Sequence, residues 1–306
     1  MSDPTPPGHP VYEWREAQPA DFAVIGDPIA HSLSPLMQTA ALRSLGRSET
    51  YIAVHVLPRE VSQALDHLRS LGVKGVNVTL PHKFAALEWS EASGGMQEDL
   101  AKRLRAANTL NLPTGDAKNT DAAGFAASLR DLKPTRALVL GAGGSARAIL
   151  LALANLGVQT RLFNRTPERA IGLIAELDLG RSTTFVDLPD PQGCDLIVNA
   201  TSAFHGPDAG SGAGPGIDFS RAQTSALAYD LSYDRSKQLT PFLEIAARFG
   251  LRTQDGRAML AYQGAHSLAW WLGPEAPPFE QLARPMLLAI QAQLPPDDPR
   301  TEPEKP

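Results

Sequence analysis

The segment that most restricts the fold is Gly141-Ala142-Gly143-Gly144-Ser145-Ala146, which follows the apolar run Ala137–Leu140 and opens a helical stretch to Leu156. A glycine-rich turn between a strand and a helix is the arrangement that cradles a dinucleotide diphosphate. Gly141 permits the tight turn, Gly143 lets the backbone approach the diphosphate, and the small Ala146 packs against the strand. The phosphates then sit on a helix N-terminus, where free N–H groups and the helix dipole both favour an anion. Apolar runs and helical stretches alternate along most of the chain, which is the α/β signature.

The next strand, Gln159–Phe163, decides the cofactor type. It ends in Asn164-Arg165-Thr166, with Arg169 one helical turn on. An NAD site ends this strand with a carboxylate that holds the ribose 2′-hydroxyl. Here two guanidinium groups and a hydroxyl stand instead, a set suited to a 2′-phosphate. The pattern predicts NADP(H).

Upstream, strands are expected at Phe22–Ile25, Tyr51–Leu57, Gly75–Val78 and Thr109–Leu112. Helices are expected from Pro35 with Ser34 as N-cap, at Val61–Leu71, at Gln97–Leu104 and at Ala122–Leu132. Two late helices are expected near Met259–Trp271 and Gln281–Leu294, with Pro285 allowed only near the start of the second. Three polar groups fall at strand ends or helix starts. Ser32 and Ser34 precede a helix, where hydroxyls and the dipole bind a carboxylate. Asn77 and Thr79 share one strand face, followed by Pro81, His82 and Lys83. Asn108-Thr109 and Asn119-Thr120-Asp121 close the set; Asp121 also fits an N-cap.

Composition excludes several classes. A net charge of −5 disfavours a nucleic-acid partner. One cysteine, Cys194, rules out an intrachain disulfide, and its apolar run to Val198 predicts a buried strand thiol. There is no clustered Cys/His ligand set, so no metal is expected. No apolar run is long enough to span a bilayer, and Met1–Pro19 lacks a signal-peptide core. A cytoplasmic enzyme is expected, with residues 1–19 and 295–306 flexible.

The ordered motifs resemble shikimate dehydrogenases. They are Ser32-x-Ser34-Pro35, Asn77-Val-Thr79-x-Pro-His-Lys83, Asn108-Thr109, Asn119-Thr-Asp121, the loop Gly141–Gly144 and Asn164-Arg165-Thr166. The series continues with Asn199-Ala-Thr201-Ser202, Asp230-Leu-Ser-Tyr233, Asp255-Gly256 and Gln263, and spans about Phe22 to Trp271. The resemblance implies an open α/β substrate-binding domain joined to a Rossmann-type NADP-binding domain with a cleft between them. The first domain would be discontinuous, 1–121 with 257–306, and the second would cover 122–256.

The resemblance further implies reversible reduction of 3-dehydroshikimate to shikimate by NADPH, a step toward chorismate and the aromatic amino acids. Lys83 and Asp121 match the family's catalytic pair. Ser32 and Ser34 match its carboxylate serines. Thr79, Asn108, Asp121 and Gln263 match residues that hold ring hydroxyls, and Tyr233 one that lines the pocket. Gly141, Ala142, Gly143, Gly144, Ser145, Asn164, Arg165, Thr166, Arg169, Thr201 and Gly256 match cofactor positions. A monomer or homodimer is expected. The chain departs from the family at Ala122 and Ala258, where glycine is common, and at Phe204-His205. A quinate-accepting or NAD-using relative, a folate-linked NADP dehydrogenase and a non-catalytic NADP(H)-binding regulator are the competing readings.

Overall fold

The computed structural model describes residues 9–129, 131–201, 203–204, 216–234 and 239–293. Ser202, His205 and the expected flexible segment 295–306 lie outside the described residues. The chain forms two compact units, one running to Thr120 and resuming over Ala261–Ile290, the other covering Asp121–Leu260 and resuming at Gln291.

The first unit contains β1 (Val11–Glu13), β2 (Phe22–Gly26), α1 (Ser34–Ser44), β3 (Tyr51–His55) and α2 (Val61–Ser70). There follow β4 (Gly75–Val78), α3 (Lys83–Ala92), α4 (Asp99–Leu104), β5 (Thr109–Asn111) and β6 (Asp116–Lys118). The sheet order is β1-β3-β2-β4-β5-β6, parallel through β4 and antiparallel beyond it. Every residue of β2 is buried, as a central strand covered on both faces requires. Helix α2 buries Val61, Ala64, Leu65 and Leu68, the stripe of a helix with one core face.

Three expectations need correction here. Residues 11–13, placed in a flexible tail, pair as an edge strand with β3; the backbone ladder holds them despite a sequence with little apolar content. Ser34 is not an N-cap: Leu33 is already helical, no side chain caps the helix, and Ser34 is buried in the first turn. The third concerns the stretch after Pro81, for which no helix is expected: it opens α3, which buries Ala86, Trp89 and Ser90.

The second unit runs α5 (Asp121–Ser128), β7 (Arg136–Leu140), α6 (Gly144–Asn155), β8 (Gln159–Phe163), α7 (Pro167–Glu176) and β9 (Thr183–Phe185). It ends with β10 (Leu196–Asn199), β11 (Leu227–Asp230), α8 (Pro241–Arg248) and β12 (Arg252–Gln254). All six strands are parallel in the order β12-β11-β10-β7-β8-β9. This is the doubly wound Rossmann order, and the direction of winding reverses between β7 and β10. Cys194 is buried just before β10, and burial pushes its thiol up, against the pull of Arg161.

Helix α9 (Arg257–Leu272) starts in the second unit and is completed in the first. Helix α10 (Phe279–Gln293) carries Pro285 in its interior rather than near its start. The helix begins earlier than its pattern suggests, so the missing proline N–H costs a bond within the helix.

Candidate active site

In the first unit the sequence-predicted residues gather at the carboxyl ends of β2 and β4, which are neighbours in the sheet. The two chains stay paired as they leave it: Thr79 N–H donates to Ile25 O at 3.0 Å and Asp27 N–H to Leu80 O at 3.2 Å. Beyond β2, the Ser32 hydroxyl accepts the Ser34 N–H at 3.2 Å, which sets both serines at the start of α1. Beyond β4, Lys83 is the first residue of α3. Its carbonyl accepts the Ala107 N–H at 2.9 Å, while Asn108 O accepts the Val78 N–H at 2.8 Å. Lys83 and Asn108 are thus fixed against one another through the backbone.

His82 anchors this corner. It is 1% exposed, and its Nε2 lies 2.7 Å from Val56 O. A carbonyl can only accept, so Nε2 carries the proton. Burial pushes the His82 imidazole down, partly offset by the Val56 bond. The neutral ring props the backbone one residue before Lys83.

A buried polar network lies behind these residues. Asn108 Oδ1 accepts from Thr120 N–H at 2.8 Å and from the Thr109 hydroxyl at 2.9 Å. Its Nδ2 donates to the Thr120 hydroxyl at 3.0 Å and to Gln263 Oε1 at 3.3 Å. The Gln263 amide oxygen is therefore an acceptor facing Asn108, which leaves its NH2 end as a donor. Ser267, one turn along α9 from Gln263, bonds to Thr109 at 2.8 Å and accepts from Asn77 Nδ2 at 2.9 Å. Asn77 Oδ1 accepts the Tyr51 hydroxyl at 2.8 Å. Burial pushes the Tyr51 phenol well above its ordinary value, and a bond from Ser34 works in the opposite direction. One continuous path thus joins Ser34 to Asn108 and Gln263. Sequence reading left Tyr51 and Ser267 out. The readable signal for Ser267 was its spacing of four from Gln263 on an otherwise apolar helix.

In the second unit, Gly141 has φ +104°, a backbone that side chains rarely adopt. A Cβ there would lie 2.6 Å from Thr201 Cγ2 and 3.0 Å from Ala200 O, so glycine lets β7 and β10 diverge around a narrow turn. Gly143 and Gly144 have open space where a Cβ would stand, room for a diphosphate to meet the N-terminus of α6. Asn164 Oδ1 accepts the Ala142 N–H at 3.1 Å, and its Nδ2 donates to Thr166 O at 2.8 Å. Asn164 therefore sets the distance between the glycine loop and the segment carrying Arg165. Arg165, Thr166 and Arg169 are not buried, and the guanidinium groups are open to solvent. The residues present fit an NADP(H) adenosine phosphate. Thr201 bonds to Asn199 Oδ1 at 2.8 Å, and Asn199 Nδ2 donates to Asp230 at 3.1 Å. Asp121 opens α5, and Tyr233 follows β11; both belong to this unit. Gly256 N–H donates to Ser232 O at 3.2 Å, and an added Cβ would collide with Leu231 O.

Among the described residues, no helix is long and apolar enough to cross a membrane, and no three His, Cys, Asp or Glu side chains group as metal ligands do.

Residues 24–110 match the family model described as the shikimate dehydrogenase substrate binding domain. The chain is 38% identical over 274 residues to a shikimate dehydrogenase (NADP(+)) of Geobacter metallireducens, covering 84% of this chain and 92% of that protein. The crystal structure of the Thermus thermophilus shikimate 5-dehydrogenase in complex with NADP(H) and shikimate is similar, with a TM-score of 0.74 and 36% identity over 88% of this chain and 98% of that one. The ligand-free 5-ketofructose reductase of Gluconobacter sp. strain CHM43 shares the fold at a TM-score of 0.72 and 26% identity, over 88% of this chain and 98% of that one. The substrate-domain match covers the strands that carry the serines, Lys83 and Asn108, and the longer match to the Geobacter enzyme takes in the glycine loop as well: the chain belongs to the shikimate dehydrogenase family.

Proposed function

We propose that this protein catalyses the reversible NADPH-dependent reduction of 3-dehydroshikimate to shikimate. One observation carries the substrate half of the reading. The network behind Asn108 and Gln263 is built of amides and hydroxyls, with Ser32 and Ser34 at its other end. Such a set suits a ring bearing neutral hydroxyls and one carboxylate. Ser32 and Ser34 take the carboxylate; Thr79, Asn108, Asp121 and Gln263 take the ring hydroxyls; Tyr233 lines the pocket.

NADPH, when bound, supplies the hydride. Gly141, Ala142, Gly143, Gly144 and Ser145 hold its diphosphate. Asn164, Arg165, Thr166 and Arg169 would hold its 2′-phosphate, and Thr201 and Gly256 would complete the cofactor site. Reduction of a ketone leaves charge on oxygen. The Lys83 ammonium stabilises that charge and delivers the proton; in the oxidative direction the free amine takes it back. Asp121 orients Lys83 and a substrate hydroxyl. The enzyme is expected to act in the cytoplasm, as monomer or homodimer.

The ketofructose reductase shows that this fold also serves another hydroxylated ketone. The test is therefore comparative: initial rates of NADP+ and NAD+ reduction with shikimate and with quinate. Turnover restricted to shikimate with NADP+ is expected. Equal turnover with quinate or NAD+ moves the chain to a broader branch, and none with any pair overturns the reading.

A further inference from the structure

At the amino ends of β7, β8 and β9, opposite the glycine loop, lies a cavity of about 330 Å³ lined by Arg136, Gln159, Thr160, Arg161, Thr184 and Gln192, with Gly193 at its edge. Its lining holds two guanidinium groups, two amides and two hydroxyls, and no carboxylate. The volume falls at the small end of the range for metabolite pockets, ~300–1,000 Å³.

Most of the donors there are unspent; the Thr160 hydroxyl donates to Val158 O at 3.4 Å. Among the described residues, the side chains of Arg136, Gln159 and Thr184 make no hydrogen bond. Arg161 uses one nitrogen, Nη2, on Gln192 O and on Cys194 Sγ, which leaves Nε and Nη1 available. Gln192 is oriented by Arg221, whose Nη2 donates to its Oε1 at 2.8 Å. That turns the Gln192 NH2 into the pendant end.

The acidic groups nearby are already engaged. Asp190 is paired with Arg221 at 2.8 Å and accepts the Gln192 N–H at 3.0 Å; the Arg221 guanidinium holds its carboxyl down at about 2. Asp195 accepts the Thr135 N–H and hydroxyl, each at 2.8 Å, and the Arg136 N–H at 3.1 Å. Arg136, Arg161 and Arg221 set against Asp190 and Asp195 leave one net positive charge at the site.

We infer that this cavity is a second anion site, separate from the dinucleotide site, that takes the phosphate group of a small molecule. Planar guanidinium forks match tetrahedral oxyanions, and added amide and hydroxyl donors fix their orientation. The phosphate is either free or esterified to a small metabolite. The strands separate this site from the glycine loop by their full length, five residues or about 16 Å.

The test is isothermal titration of inorganic phosphate and, separately, of glycerol 3-phosphate into the full chain saturated with NADP+, at constant ionic strength held with chloride. Saturable binding of at least one probe is expected, with the tighter probe naming the source. Kd should rise at least tenfold in Arg136→Gln, whose side chain holds no internal bond, and in Thr184→Glu, which adds a carboxylate to the lining. Arg59→Gln, an exposed arginine of the first unit, should leave Kd unchanged. Absence of saturable binding to the wild type overturns the inference. So does binding that survives both cavity substitutions, or binding seen only before NADP+ is added.

Discussion

Asn77 Nδ2 donates to Ser267 Oγ across 2.9 Å, tying the centre of the first sheet to a helix reached 190 residues later in the chain. Both side chains are buried, so removing either partner takes one buried hydrogen bond from the other, which keeps its remaining bonds to Asn108, Thr109 or Gln263. Asn77→Ala should lower unfolding stability by about 1–3 kcal/mol, and Ser267→Ala by a similar or smaller amount. The double variant should lose less than the sum. Urea unfolding measures all three. Because the pair supports Asn108 and Gln263, KM for shikimate should rise more than kcat falls.

Lys83→Ala should lower kcat by about two to four orders of magnitude, the usual contribution of a general acid–base group. KM for shikimate should change far less. Initial rates in the oxidative direction check it, and a near-normal kcat removes Lys83 from proton transfer.

Arg165→Ala should raise KM for NADP+ by roughly tenfold to a hundredfold, the loss of a charge-assisted hydrogen bond of ~1.5–3 kcal/mol. Rates with NAD+, which lacks the 2′-phosphate, should hardly move. Parallel titrations with the two nucleotides give the ratio.

His55 lies between two carboxylates, with Nε2 3.0 Å from Asp27 and Nδ1 2.9 Å from Glu13. Both bonds, Asp27 first, raise its folded pKa above the ordinary histidine value. Its contribution to stability is therefore complete below pH ~6.5 and is lost as pH rises through the folded value. His82 works in the other sense: burial lowers it, so its contribution is lost as pH falls below ~6.5 toward its folded value. Unfolding followed from pH 5 to pH 9 should show His55→Gln flattening the alkaline side only.

Gly256→Ala would drive a Cβ into the carbonyl oxygen of Leu231. Backbone cannot yield as a side-chain tip can, so a loss of about 1–3 kcal/mol is expected. Thermal unfolding with and without NADP+ would measure it, and the stabilisation by NADP+ should shrink as well.

The strand–glycine loop–helix unit was fully readable, because its chemistry is local: a strand, a turn and a helix formed from contiguous sequence. The buried strands β2, β4, β7 and β10 were readable as apolar runs. The edge strands β1, β6 and β12 were not. Val-Tyr-Glu, Asp-Ala-Lys and Arg-Thr-Gln carry little apolar signal, and pairing with a neighbour, not composition, makes them strands. Helix α3 is hard to read because it starts two residues after Pro81 and buries only Ala86, Trp89 and Ser90, too few apolar positions for a clear helical stripe. The site residues on strand ends could be found from motif order. Tyr51 could not, since a hydrogen bond between distant segments leaves no trace in local spacing; Ser267 left only its spacing of four from Gln263 on an apolar helix.

The closing stretch of α9 supplies Gln263, Ser267 and Trp271 to the first unit. Trp271 stacks on Phe22 at 4.9 Å between ring centroids and donates to Leu110 O at 3.0 Å. On the ribosome, the amino-terminal sheet is therefore synthesised long before its last core residues exist. The whole of Asp121–Leu260 must be translated in between, a wait of roughly ten to thirty seconds at ordinary elongation rates. All six strands of the cofactor-binding sheet, although second in the chain, are made before the first sheet receives its last core residues.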